Sequence, residues 1–159
     1  MQGDGTFRPG SDGAQAVGSP TFRRDTIYSS SGTINTSDER AKEDIRSIED
    51  KMLGAWSKVE FVSFKYKDSI EYKSESKSRI HFDVIAQRVK KAFETEELEP
   101  FEYGVLCYDE WEGLPEFIDE VNGVSQAPIT TGNRYGIYYE GALILGCALL
   151  RREIRNKRA

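Results

Sequence analysis

The chain has 159 residues, 38% hydrophobic and 31% charged, with a formal net charge of −5. That is a soluble globular balance, and its acidic sign gives no basic face for nucleic acid. The longest apolar run, Ala142 to Leu150, is too short to span a bilayer, so no membrane partner is expected. The opening MQGDGTFRPG has neither the basic nor the apolar region of a signal peptide. One histidine and two isolated cysteines offer no metal-ligand spacing, and no cofactor is expected. Cys107 and Cys147, in apolar surroundings without CxxC spacing, fit two buried thiols better than one disulfide.

Composition shifts near residue 37. Residues 1–37 hold six of the 14 glycines, many Ser and Thr, and isolated apolar residues: Phe7, Val17, Phe22, Ile27, Tyr28 and Ile34. Short strand-like pieces, TFR, TFRRDTIYS and GTIN, lie between turn signals. Alone the segment has too little apolar surface to offset its ordering entropy, so it needs a partner such as copies of itself.

From there the pattern predicts a helix over 38–53, with Ala41, Ile45, Ile48 and Met52 as one apolar stripe. Thr36 and Glu39 have capping-box spacing, and Asp38 and Glu39 suit a first turn. VEFVSFKYKDS, 59–69, reads as a strand, and IEYKSESKSRIHF, 70–82, as a β-hairpin with a polar tip. FDVIAQRVKKAFE, 82–94, turns helical, with Val84, Ile85, Val89 and Phe93 on its buried face. FEYGVLCYDEW, 101–111, reads as a strand. Residues 112–134 are turn-rich with an aromatic anchor at Phe117, and both a strand and an irregular loop fit them.

Residues 135–158 carry the strongest helix pattern. Tyr139, Leu143, Cys147, Leu150 and Ile154 form one apolar stripe, and Ala142, Leu145 and Leu149 lie on a second face. A helix apolar on two sides has two things to bury against, its own domain and a symmetry mate. The basic residues that close it, Arg151, Arg152, Arg155, Lys157 and Arg158, suit a helix C-terminus.

The segment TINTSDERAKEDI, 33–45, allows chemistry. A serine hydroxyl needs a base within reach, and a lysine serves if its amine is kept neutral. On a helix Lys42 would lean back toward Ser37, and helix-start amides would face a developing oxyanion. Spacing equally fits Ser37 as a cap and Asp38–Lys42 as a surface pair.

GTINTSDERAKEDI resembles the start of the self-cleaving intramolecular chaperone domains that end phage tail spikes and tail fibres. Thr36, Ser37, Asp38, Arg40, Lys42 and Ile45 match that family's pattern, with Ala41 where leucine is common. HFDVIAQRV resembles its His-x-Gly-x-Ile-Ala-Gln-x-Val segment through His81, Ile85, Ala86, Gln87 and Val89, with Asp83 in place of glycine. The resemblance implies an α+β fold with a small antiparallel sheet or hairpin and a long C-terminal helix. It implies a homotrimer of two parts, the end of a β-rich fibre stalk in 1–37 and the chaperone domain in 38–159. Its partners would be its own copies and the upstream stalk of the same polypeptide.

The implied activity is assisted trimerisation of the stalk, then autoproteolysis between Ser37 and Asp38, with Ser37 as nucleophile and Lys42 as general base. Glu39 and Arg40 would support the motif, and His81 and Gln87 would serve structure or trimer contacts. The stalk would stay on the virion tail and the freed domain in the host cytoplasm. Attack by Ser37 on its own carbonyl, on the preceding one, across chains or through water all stay open. A cap that never cuts, or a glycan-binding tip using Tyr108 and Trp111, are the alternatives.

Overall fold

The computed structural model describes residues 10–11, 16–23, 26–30, 37–119 and 123–158. They fall into two compact units, one of 43–111 with 133–159 and one of 1–42 with 112–132.

The first unit is built on three helices. Helix α1 (Asp50–Ser57) opens with an acid in its first turn and buries Leu53, Ala55 and Trp56. Helix α3 (Ala86–Glu94) buries Val89, Ala92 and Phe93; of the stripe expected over 82–94 it keeps Val89 and Phe93, while Val84 lies in a strand and Ile85 is the N-cap. Helix α4 (Tyr139–Asn156) buries Ala142 and Leu145. These join Val59, Val84, Val105 and Leu106 in a single core, with α1 packed on both α3 and α4.

Strands β1 (Phe61–Phe64) and β2 (His81–Val84) pair antiparallel, with Phe61 opposite Val84 and Phe64 opposite His81. Helix α2 (Lys67–Lys73) and a 3₁₀ turn at Glu75–Lys77 connect them. The hairpin expected within 70–82 is therefore replaced by a longer one. Ile70 and Tyr72 belong to α2, which starts with Asp68 in its first turn and stops at Ser74, where φ is +78°. Three alternating residues are too few to separate a strand from an amphipathic helical turn.

Strand β3 (Leu106–Trp111) pairs with β6 (Gly132–Ile137). The C-terminal helix thus starts at Tyr139, not at 135. A Cβ on Gly136 would lie 2.7 Å from Cys107 Sγ, so a side chain there would force the Cys107 thiol to move. Both cysteines are free thiols, but Cys107 is only half-buried and Cys147 is exposed, contrary to the expectation that both are buried.

The larger correction concerns 38–53. Residues 39–41 form one 3₁₀ turn, residues 42–49 run without helix, and α1 begins only at Asp50. Asp44 takes the left-handed region at φ +55°, which ends any helix there. The proposed stripe had nothing to cover it: Ile45 and Ile48 are exposed. A short helix without tertiary packing is marginal in water.

In the second unit, β4 (Phe117–Asp119) and β5 (Val124–Gln126) form an antiparallel pair, with Phe117 opposite Gln126. A bridge between Leu114 and Ile129 closes its base. Phe117, expected as an anchor, is exposed. The described parts of 16–30 form bends and stretches without regular secondary structure, and Val17, Phe22, Ile27 and Tyr28 are exposed. TFR, GTIN, Phe7, Ile34 and Thr36 lie outside the described residues.

Asp83, which departs from the resembled pattern, has a structural role. Its carboxylate accepts the Tyr139 hydroxyl and ties β2 to the first turn of α4. Burial, then this bond, pushes the Tyr139 phenol up to about 12. A raised phenol stabilises the fold below the unfolded value near 10, and that contribution is lost as pH rises through 12. Tyr139→Phe should cost about 1 kcal/mol at pH 8, a charge-assisted bond discounted for exposure. Urea melts of both forms should show the gap closing between pH 10 and about 12. A gap that stays constant would contradict the pairing.

Candidate functional site

Ser37 and Lys42 meet without an α-helix. Asp38 is the N-cap of the 3₁₀ turn, its Oδ1 accepting the Arg40 backbone N–H at 2.9 Å. The turn closes with Ala41 N–H on Asp38 O at 3.2 Å and Lys42 N–H on Glu39 O at 3.0 Å. Lys42 then leaves it in an extended conformation, φ −125° and ψ 142°. From there its Nζ donates to Ser37 Oγ at 2.6 Å.

The capping readings are corrected accordingly. Asp38, not Ser37, caps the turn, and the Ser37 hydroxyl is held by Lys42 instead. Asp38 does not pair with Lys42. It takes the Arg40 guanidinium, with Nε at 3.0 and 3.2 Å from its two oxygens and Nη2 at 2.6 Å from Oδ2. The Arg40 side chain and then its backbone N–H hold the Asp38 carboxyl below its usual range, and Arg40 is raised in turn. The Arg40 amide already donates to Asp38 Oδ1, so an oxyanion would have to displace that carboxylate to use it.

The result is a tight constellation around one peptide bond. The residue before the bond carries a hydroxyl bonded to an amine, and the residue after it is fixed by cap and guanidinium. Ser37 to Lys42 are all exposed, so water reaches both members. Glu39 contributes its carbonyl to the turn.

His81 and Gln87 belong to the other unit. His81 stacks on Phe64, with centroids 5.8 Å apart, and meets Tyr66 edge-on at 4.9 Å. Gln87 is exposed in the first turn of α3. Tyr108 does not lie with Trp111. It packs with Tyr135 at 4.6 Å and Phe101 at 6.1 Å, while Arg134 covers Trp111 at 5.4 Å. Among the described residues no three His, Cys, Asp or Glu lie together as metal ligands, and no helix is long and apolar enough to cross a membrane.

Comparison with known proteins agrees with the pattern around Ser37. The family model of a peptidase group, the chaperone of endosialidase, matches residues 37–98 and so starts at the serine of the pair. A tail spike protein of Escherichia virus K5 is 40% identical over 97% of this chain. The side tail fibre protein pb1 of Escherichia phage T5 is 32% identical over 69% of it. The chain spans 24% and 8% of those two proteins.

Two solved structures resemble it. One, described as a novel intramolecular chaperone, is 42% identical, covers 76% of this chain and 99% of its own, and superposes with a TM-score of 0.67. The other holds the carboxy-terminal domain of the bacteriophage T5 L-shaped tail fibre with its intramolecular chaperone domain. It is 25% identical over 96% of this chain and 38% of its own, with a TM-score of 0.75. The chain belongs to the chaperone-of-endosialidase family, the intramolecular chaperones of phage tail spikes and tail fibres.

Proposed function

We propose that this chain is a homotrimeric folding aid that cuts itself from its fibre between Ser37 and Asp38. The observation that carries this is the 2.6 Å contact between Lys42 Nζ and Ser37 Oγ, beside the bond at which the family match begins. Lys42 takes the Ser37 hydroxyl proton and returns one to the departing Asp38 amine. Attack by Ser37 on its own carbonyl would close a strained four-membered ring. An N-to-O shift on the preceding carbonyl would break the Thr36–Ser37 bond instead, so the pair acts on the Ser37–Asp38 bond of a neighbouring copy or through an activated water.

A lysine is a base only as a neutral amine, and covering it disfavours the charge. Lys42 is exposed in the single chain, so association supplies the cover and ties the cut to assembly. Residues 1–37 stay with the stalk on the virion tail, and 38–159 leave as a trimer into the host cytoplasm. Arg40 and Glu39 orient the bond.

The biological logic is kinetic. Intertwined stalk chains have non-local contacts and a slip-prone register, and a quickly folding domain raises their effective concentration. Once the domain is gone, the stalk has no template for unfolding and refolding. A denaturing gel tests the reading: wild type should lose residues 1–37, and Ser37→Ala should stay whole. Two intact chains after assembly would sink it.

A further inference from the structure

Toward its C-terminal end, the side of α4 next to its buried face turns cationic. Arg151, Arg152, Arg155 and Arg158 share that side, one and two turns apart. They line a groove of about 830 Å³. The stretch that leads into α1 supplies its other side, with Ser47, Ile48 and Leu53. Asp50 is the one carboxylate among the lining residues. The groove lies wholly within the unit of 43–111 and 133–159.

Within the chain this charge is only partly answered. The Arg152 side chain is 19% exposed, with Nη1 3.3 Å from both Asp50 O and Oδ1 and Nη2 3.5 Å from Glu153 Oε1. Arg151, Arg155 and Arg158 make no side-chain ion pair or hydrogen bond among the described residues. At spacings of four and three residues these cations repel one another. The helix dipole does not account for them, because it acts over the last turn and only Arg155 lies there. Each is an arginine, whose flat two-pronged donor suits a carboxylate or phosphate.

We propose that the groove binds an extended peptide segment in which acidic and apolar side chains alternate. The helical rise sets Arg155 about 6 Å beyond Arg151 and Arg158 about 4.5 Å further on. An extended strand presents the same face every two residues, roughly 6.6 Å. Its carboxylates then meet successive arginines, and the side chains between them turn to Ile48 and Leu53 on the other side. Ile48 is 37% exposed and open to such a contact. That apolar side favours a peptide over a simple phosphate anion, which has nothing to set against it.

Fluorescence anisotropy of a labelled, end-capped Glu-Leu-Glu-Leu-Glu-Leu peptide tests this on the full chain. Binding should saturate, and it should weaken as salt is raised, because the contacts are exposed. A chain carrying both Arg151→Glu and Arg155→Glu should bind roughly tenfold or more weakly, while its urea melt stays that of wild type. A Gln-Leu-Gln-Leu-Gln-Leu peptide should lose binding to wild type by a similar factor. No binding of the acidic peptide, or equal binding by the charge-reversed chain or by the glutamine peptide, would overturn the proposal. So would inorganic tripolyphosphate displacing the labelled peptide at lower concentration than the unlabelled peptide does, which would make the groove a phosphate site. None of these results bears on the Ser37–Asp38 cut.

Discussion

Lys42→Arg should leave the chain uncut, as Lys42→Met should, with cleavage slower by on the order of 10³-fold or more. The arginine variant is the informative one. Arginine keeps the positive charge and can still donate to Ser37 Oγ, so the 2.6 Å contact has a substitute. It cannot give up its proton in the working pH range and so cannot act as the base. If the Lys42 contact only held the serine in place, Lys42→Arg would cut at close to the normal rate. Time courses on denaturing gels, started by dilution from denaturant, measure both variants against wild type. Near-normal cutting by Lys42→Arg would remove Lys42 from its proposed role.

Phe93→Ala should destabilise the folded chain by about 3–5 kcal/mol, a large part of the roughly 5–15 kcal/mol expected of a domain. Phe93 is fully buried on α3 and packs on Tyr103, with ring centroids 5.4 Å apart. Removing the ring loses its burial and leaves a cavity where α3 meets the core. Phe82→Ala removes a side chain of the same size from an exposed position, and on the unassembled chain it should cost less than about 1 kcal/mol. Urea titrations compare the two, and equal losses would contradict the core described here. A fibre carrying Phe93→Ala should also assemble in lower yield, because the folding aid itself no longer folds reliably.

The elements readable from sequence were those whose own residues bury a face. Val89 and Phe93 fixed α3, and Ala142 and Leu145 fixed the buried side of α4, whose second apolar stripe was equally visible. The 38–53 helix failed because an apolar stripe says nothing of what will cover it, and Asp44 breaks the chain there. The 70–82 hairpin failed because Ile70 and Tyr72 give too short a pattern to tell strand from helix. Residues 112–134 could not be assigned, since β4 and β5 are three residues each and exposed Phe117 marks no core.

The site was legible as a pair of residues, but by a route different from the expected one. A helix was to lean Lys42 toward Ser37. A single 3₁₀ turn capped by Asp38, followed by an extended Lys42, brings them together instead. A lysine five positions after the serine suits either geometry, so the spacing indicated the pair without fixing the backbone. The Asp38–Arg40 pair shows the same limit. Sequence offered Asp38 a partner four residues on, and the tight turn gave it one two residues on.

The position of the break separates a self-cleaving domain from one that stays on its fibre. The most direct measurement is the intact mass and N-terminal sequence of the released piece after assembly of the wild-type protein. The expected result is a fragment starting Asp38-Glu39-Arg40 and running through Ala159, absent from Ser37→Ala and from Lys42→Arg. A fragment starting elsewhere, or one released equally by the Ser37→Ala chain, would contradict it.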